Sequence, residues 1–186
     1  MSAGQERDEW LMMRVAQGQA EQVEPLVRRY GTLLLTFIQR MVGDRHRSEE
    51  MFQEVFLAVW TKRAQYKLGR PFKPWLYKIA INRCRRAFRV RGLGPVGRLD
   101  EESWPRAAVS RAPSPPEAAI ATETASLVEQ AVGTLPPKQR MIVVMRLWNN
   151  LEYEQIAAAM GVREATVRSN MHDALANIRR YLEPRL

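Results

Sequence analysis

The residues with the most evident chemistry run together as Phe72-Lys-Pro-Trp-Leu-Tyr-Lys-Ile-Ala-Ile-Asn-Arg-Cys-Arg-Arg-Ala-Phe-Arg89, a stretch at once basic, aromatic and helical in pattern. From Val55 to Leu99 there is no Asp or Glu, while twelve Lys and Arg residues fall in that interval. Cations without interleaved carboxylates cannot neutralise one another locally, so the stretch presents a field suited to a polyanion. Trp75, beside Lys78, Asn82, Arg85 and Arg86, adds groups that phosphate attraction does not require. An exposed ring is a stacking platform worth roughly 1–3 kcal/mol per unstacked base, and an amide can read a base edge. The plainer reading is a solvated basic helix with Trp75 half-buried against a neighbour; the acid-free flanks weigh against it.

Several elements must position this stretch. Pro71 and Pro74 mark its start, where a missing N–H costs least. Leu76, Ile79, Ala80, Cys84, Ala87 and Phe88 form the apolar stripe, and Arg83 falls inside it, in need of a partner or a route to water. Upstream, Asp8 to Gln17 reads as a short amphipathic helix and about Ala20 to Val42 as a second, with Pro25 in its first turn. A third, about Ser48 to Arg63, buries Met51, Phe52, Val55, Phe56, Val59 and Trp60. Its opposite face carries Glu50, Gln53, Glu54 and Leu57: on spacing alone a solvated acidic face is the simpler reading, and a docking surface the alternative. The loop Tyr66–Phe72, with Lys67 and Arg70, leads into the basic helix. Four helices thus make a first domain, residues 1–91.

Residues 92–116 change character: of 25 residues, 3 are Gly, 5 Pro and 3 Ser, without an apolar period, so they read as a flexible linker. Residues 117–186 make a second domain. Its helices are expected over Ala118–Val132 with a stop at Gly133, Leu135–Trp148, Tyr153–Met160 and Glu164–Leu182, and Asn150 is a candidate cap between the second and third. The stretch from Glu152 to Arg168 has the form of a helix-turn-helix, with small Ala157 at the crossing and Gly161 in the turn. On its second helix Val167, Met171, Ala174, Leu175, Ile178 and Leu182 form the expected buried stripe. Thr166, Ser169, Asn170 and Asp173 lie opposite it, with Arg163 at the N-terminal end, where a recognition helix meets the major groove; a plain bundle corner is the alternative. The fold class is all-α: two small helical domains joined by a linker.

Composition agrees. The 186-residue chain has net charge +9, and the excess lies in the first half: residues 1–90 carry 17 Lys+Arg against 9 Asp+Glu, and residues 117–186 carry 8 of each. Single Cys84 excludes an internal disulfide and a cysteine-based metal cage. No apolar run approaches a membrane span, and the N-terminus lacks a signal-peptide core, so a cytoplasmic protein is expected. His46 and His172 fall in different domains without metal-ligand spacing. Neither a phosphate loop, a Gly-x-Ser-x-Gly motif nor an acidic nuclease cluster is present, so no enzyme, cofactor or metal is expected.

The pattern Ser48-Glu-Glu-Met-Phe-Gln-Glu-Val-Phe-Leu-Ala-Val-Trp60, followed by Phe72 to Cys84, resembles region 2 of the extracytoplasmic-function sigma factors of bacterial RNA polymerase. Leu135-Pro-Pro-Lys-Gln-Arg140, Tyr153 to Val162 and Thr166-Val-Arg-Ser169 resemble their region 4. The resemblance implies a factor that binds core polymerase, recognises −10 and −35 promoter elements and promotes melting. By it, Glu50, Gln53, Glu54 and Leu57 would dock on the clamp helices of the largest subunit, which reverses the simpler reading of that face. Lys67, Arg70, Phe72, Trp75, Lys78, Asn82, Arg85 and Arg86 would engage the −10 element around a flipped base. Arg163, Thr166, Arg168, Ser169 and Asn170 would read the −35 duplex. The flap of the second-largest subunit and an anti-sigma protein are further implied partners. The chain departs from the family pattern at Arg86, at Glu152 in place of a Ser or Thr cap, and at Asn170 and Asp173 in the recognition helix. A weaker start to the Tyr153 helix is therefore expected.

Overall fold

The structure, a computed structural model, describes residues 7–90 and 119–185, and the side chains of 7–87 and 125–185. The expected linker, 92–116, lies outside the described residues, as do the side chains of Phe88 and Arg89. Among the described residues every regular element is helical: α1 Asp8–Ala16, α2 Val23–Val42, α3 Arg45–Thr61, α4 Phe72–Val90, α5 Ala119–Thr134, α6 Pro137–Leu147, α7 Tyr153–Met160 and α8 Glu164–Leu182.

Local chemistry explains most boundaries. Pro25 lies in the first turn of α2, and Gly43 closes that helix in the left-handed region at φ 73°. Asp44 then caps α3, accepting from the Arg47 backbone N–H at 2.7 Å, so α3 begins three residues before its apolar period does. Gly133 does not stop α5, which continues through Thr134, whose hydroxyl donates to the Ala131 carbonyl at 2.7 Å. The start of α7 is reinforced rather than weak. Gln155 Oε1 accepts from the Glu152 N–H at 3.0 Å in a capping box, and Glu152 also pairs with Arg146 at 3.0 Å. Asn150 takes a positive φ of 51° and belongs to the turn instead of capping the helix.

In the first half α2 packs on α3 and α4, α3 on α4, and α1 crosses α2 while touching α4. Leu34, Phe37, Val55, Val59, Leu76, Ala80 and Cys84 share the interior. Burial pushes the Cys84 thiol up to about 12, which makes it an inert core residue. In the second half Met141 to Met145 are all buried, and α8 closes over α5, α6 and α7. Buried Arg140 serves this half structurally, donating to the carbonyls of Gly133 in the last turn of α5 and Leu135 in the α5–α6 turn. Leu175, expected in the buried stripe of α8, is instead 49% exposed.

The halves do not hang apart. Helix α4 packs on α7 and α2 on α6, and a single apolar core runs through both halves. Tyr77 and Ile81 are completely buried, although neither lies on the stripe that the helical period of α4 marks as apolar, and the Tyr77 ring lies 5.4 Å from that of Phe37 in α2. One amphipathic face describes α4 as part of the first half; a second neighbour gives it another.

Candidate nucleic-acid interface

The loop before α4 is built by aromatic packing. Tyr66 is buried, its hydroxyl donates to the Arg70 carbonyl, and its ring lies 5.1 Å from Trp75 and 6.3 Å from Phe72. Burial pushes the Tyr66 phenol up to about 12, so it stays a neutral donor. Phe72 is 0% exposed, wedged among Tyr30, Tyr66 and Trp75. It supports the loop and offers no surface to a base, which corrects its place among the expected contact residues. Trp75 is half-buried with one side against these rings. Gly69 turns the loop at φ 79°, leaving Lys67, Leu68 and Arg70 on its exposed outer side.

Lys78, Asn82 and Arg86 follow at four-residue spacing and are all exposed, so they line one face of α4. Arg85 is half-buried, and desolvation lowers its pKa. Among the described residues no carboxylate pairs with Lys67, Arg70, Lys78, Arg85 or Arg86. The acid-free sequence thus becomes an unneutralised surface, with two exceptions that only tertiary packing supplies. Arg83, the cation inside the apolar stripe, reaches Glu54 of α3 at 3.2 Å. Lys73 donates to the carbonyls of Asn149 at 2.7 Å and Asn150 at 3.0 Å, and its desolvation lowers its pKa.

The start of α4 is held from outside. Its first turn contains no acidic residue, and Pro71 before it has no side-chain acceptor. Glu9, from α1, accepts the Phe72 N–H at 3.3 Å, while its neighbour Asp8 binds Arg29 and the Tyr30 hydroxyl. A carboxylate at a helix N-terminus satisfies an orphan donor and complements the dipole. Sequence reading missed Glu9, Tyr66 and Lys73 as positioning groups. Separations of dozens of residues leave no periodic signal; the aromatic cluster 66–75 was the one available hint.

On α3, Gln53 and Leu57 are exposed, Leu57 at 61%, and Glu50 stands on the same face. Glu50 pairs with Arg47 at 2.6 Å and lies 3.5 Å from His46; Glu54 is occupied by Arg83. On α8, Arg163 occupies the N-cap position and Ser169 is exposed. Arg168 binds Glu164 at 2.5 Å and stacks 4.6 Å above Tyr153, while Asn170 turns its amide back to the Thr166 carbonyl at 2.8 Å. Thr166 and Asn170 are half-buried, so this face offers fewer ready donors than the surface of α4. Gly161, at φ 72°, makes the turn between α7 and α8.

Known proteins resemble this chain in sequence and in fold. A family described as Sigma-70 region 2 matches residues 26–93, and one described as Sigma-70, region 4 matches residues 125–178. The RNA polymerase sigma-H factor of Pseudomonas aeruginosa is 31% identical, over 98% of this chain and 97% of its own length. The ECF RNA polymerase sigma-E factor of Escherichia coli is 28% identical over 95% of each chain. Among solved structures, CnrH in complex with the cytosolic domain of CnrY aligns with a TM-score of 0.73 at 21% identity, over 96% of this chain and 99% of that one. The sigma factor RpoE in complex with the anti-sigma factor NepR from Bartonella quintana aligns at 0.65 and 18% identity, over 87% and 98%.

Proposed function

This chain belongs to the extracytoplasmic-function sigma factors, and we propose that its loop 66–72 and the exposed line of α4 engage the opened −10 strands while α8 reads the −35 duplex. It is a dissociable subunit that binds core RNA polymerase, recognises promoter elements and promotes melting. The reaction chemistry belongs to the polymerase, this chain supplying position, and it acts in the cytoplasm.

The observation that carries the residue assignment is the unpaired row Lys78, Asn82 and Arg86 beside the supported ring of Trp75. Cations hold the backbone and the ring stacks an unpaired base, the combination single-stranded sites use. Tyr66 and Phe72 fix the ring, Glu9 fixes the helix start, and Glu50, Gln53, Glu54 and Leu57 dock the factor on the polymerase clamp. Residues 1–91 and 117–186 act as the two recognition units, joined by 92–116. An anti-sigma protein is a further partner, covering the same surfaces when transcription is shut off; the fold neighbour RpoE is itself in complex with an anti-sigma factor, NepR.

The test is reconstitution. Purified chain with core polymerase should start transcription at a restricted promoter set, whereas core alone should not. No gain in promoter-dependent transcripts would refute the reading. Tight, specific binding to duplex without polymerase would point instead to an independent helix-turn-helix regulator.

A further inference from the structure

We propose that the α5–α6 turn and the end of α8 form a binding cleft for a nucleoside phosphate. The cleft has a volume of about 440 Å³, within the range of small-molecule sites, and Thr134, Pro136, Asn177, Arg180, Tyr181 and Arg185 line it. All six belong to the second half, and Arg180 lies 16 residues beyond Glu164, the first residue of α8. At 1.5 Å per residue that is about 24 Å from the end of the helix assigned to the duplex. The −10, clamp and −35 roles described above use none of these six residues.

Two buried polar side chains shape its wall. Arg140, 2% exposed, donates to the carbonyls of Gly133 and Leu135 and so fixes the backbone on either side of Thr134. Gln139, 7% exposed, accepts from the Asn177 amide at 2.8 Å, which leaves the Asn177 carbonyl oxygen to take a donor. The Thr134 hydroxyl donates to the Ala131 carbonyl, so its oxygen too serves a ligand as an acceptor. Burying polar groups carries a cost that specific bonds must offset, and here those bonds hold the turn and the amide that line the cleft.

The other wall is cationic. Arg185, three residues beyond α8, folds back: its guanidinium lies 4.0 Å from the centre of the Tyr181 ring and donates to the Tyr181 carbonyl at 2.6 Å. Arg180 is exposed, and among the described residues no carboxylate pairs with Arg180 or Arg185. A basic last turn complements the helix dipole, which accounts for Arg179 and Arg180. It does not account for Arg185, or for a ring and two acceptors beside the cations. Guanidiniums match phosphate oxygens in geometry and charge. The acceptors suit the hydroxyl and amino donors of a nucleoside, and the Tyr181 ring offers apolar surface to its sugar or base. Inorganic phosphate would engage the arginines and leave the ring uncovered.

The experiment is calorimetric titration of the full-length free chain with ATP and with GTP, in EDTA so that no divalent cation screens the phosphates. Inorganic triphosphate is the control. Saturable binding of at least one nucleotide is expected, about tenfold or more tighter than triphosphate. R180Q/R185Q removes both cations at exposed positions and should weaken it about tenfold or more with circular dichroism unchanged. If that variant loses helix content, T134E, at an exposed position outside α8 that brings a carboxylate to the cleft, carries the same expectation. Absence of saturable binding, or nucleotide affinity that survives both variants, would overturn the site. Equal affinity for triphosphate would make it an anion site only and overturn the nucleoside assignment. If the holoenzyme carrying R180Q/R185Q lost promoter-duplex affinity by as large a factor, the arginines would belong to DNA, which would overturn the cleft as well. The titration needs no polymerase, so its failure leaves the sigma-factor reading intact, and failed transcription leaves the cleft intact.

Discussion

Glu9→Ala should loosen the start of α4 and, through it, promoter opening. In the structure Glu9 Oε1 accepts the Phe72 N–H at 3.3 Å, and neither Pro71 nor any acidic residue in the first turn of α4 can replace it. Loss of a helix-capping acceptor costs about 1 kcal/mol, and loss of a carboxylate near a helix N-terminus about 0.3–1 kcal/mol more. The bond is long and only part-buried, so the sum belongs near the lower end, about 1–1.5 kcal/mol. For a chain of this size that is a fall in Tm of about 2–6 °C, read by circular dichroism. Fraying of the first turn also moves Phe72, on which Trp75 leans at 6.0 Å. Open-complex formation, followed by permanganate reactivity of the −10 strand, should therefore fall further than core binding does. Glu9→Gln keeps a carbonyl acceptor and loses only the charge, so it should recover at least half of the deficit. A Glu9→Ala protein with wild-type Tm and opening, or a Gln variant as impaired as the Ala variant, would refute the capping argument.

Replacing Trp75 and Lys78 together by Ala should impair open-complex formation by an order of magnitude or more while core affinity measured by fluorescence anisotropy stays within about twofold; about 1–3 kcal/mol of stacking alone predicts that scale. Leu57→Asp, at a side chain 61% exposed, should leave Tm nearly unchanged, within about 0.5 kcal/mol, yet weaken the complex with core in the same assay. Gly161→Ala should cost about 1–2 kcal/mol in thermal unfolding although a Cβ there meets nothing within 4 Å. The cost is the left-handed backbone at φ 72°, so an unchanged Tm would mean that the turn between α7 and α8 relaxes.

The amino-acid sequence by itself determined the helices and the kind of partner. Apolar spacing, prolines in first turns, Gly43 before Asp44 and the acid-free basic stretch are all local, and local features survive in any context. Tertiary structure decided how the surface is used. It turned Phe72 inward as a support, gave Arg83 its carboxylate in Glu54, brought Glu9 to the head of α4, buried Tyr77 and Ile81, and set Asn149 between the halves. These pairs lie 29 to 116 residues apart, and one helix period cannot encode a second neighbour. A side chain's periodic position says which way it points; only the element packed opposite says whether water, protein or nucleic acid meets it there.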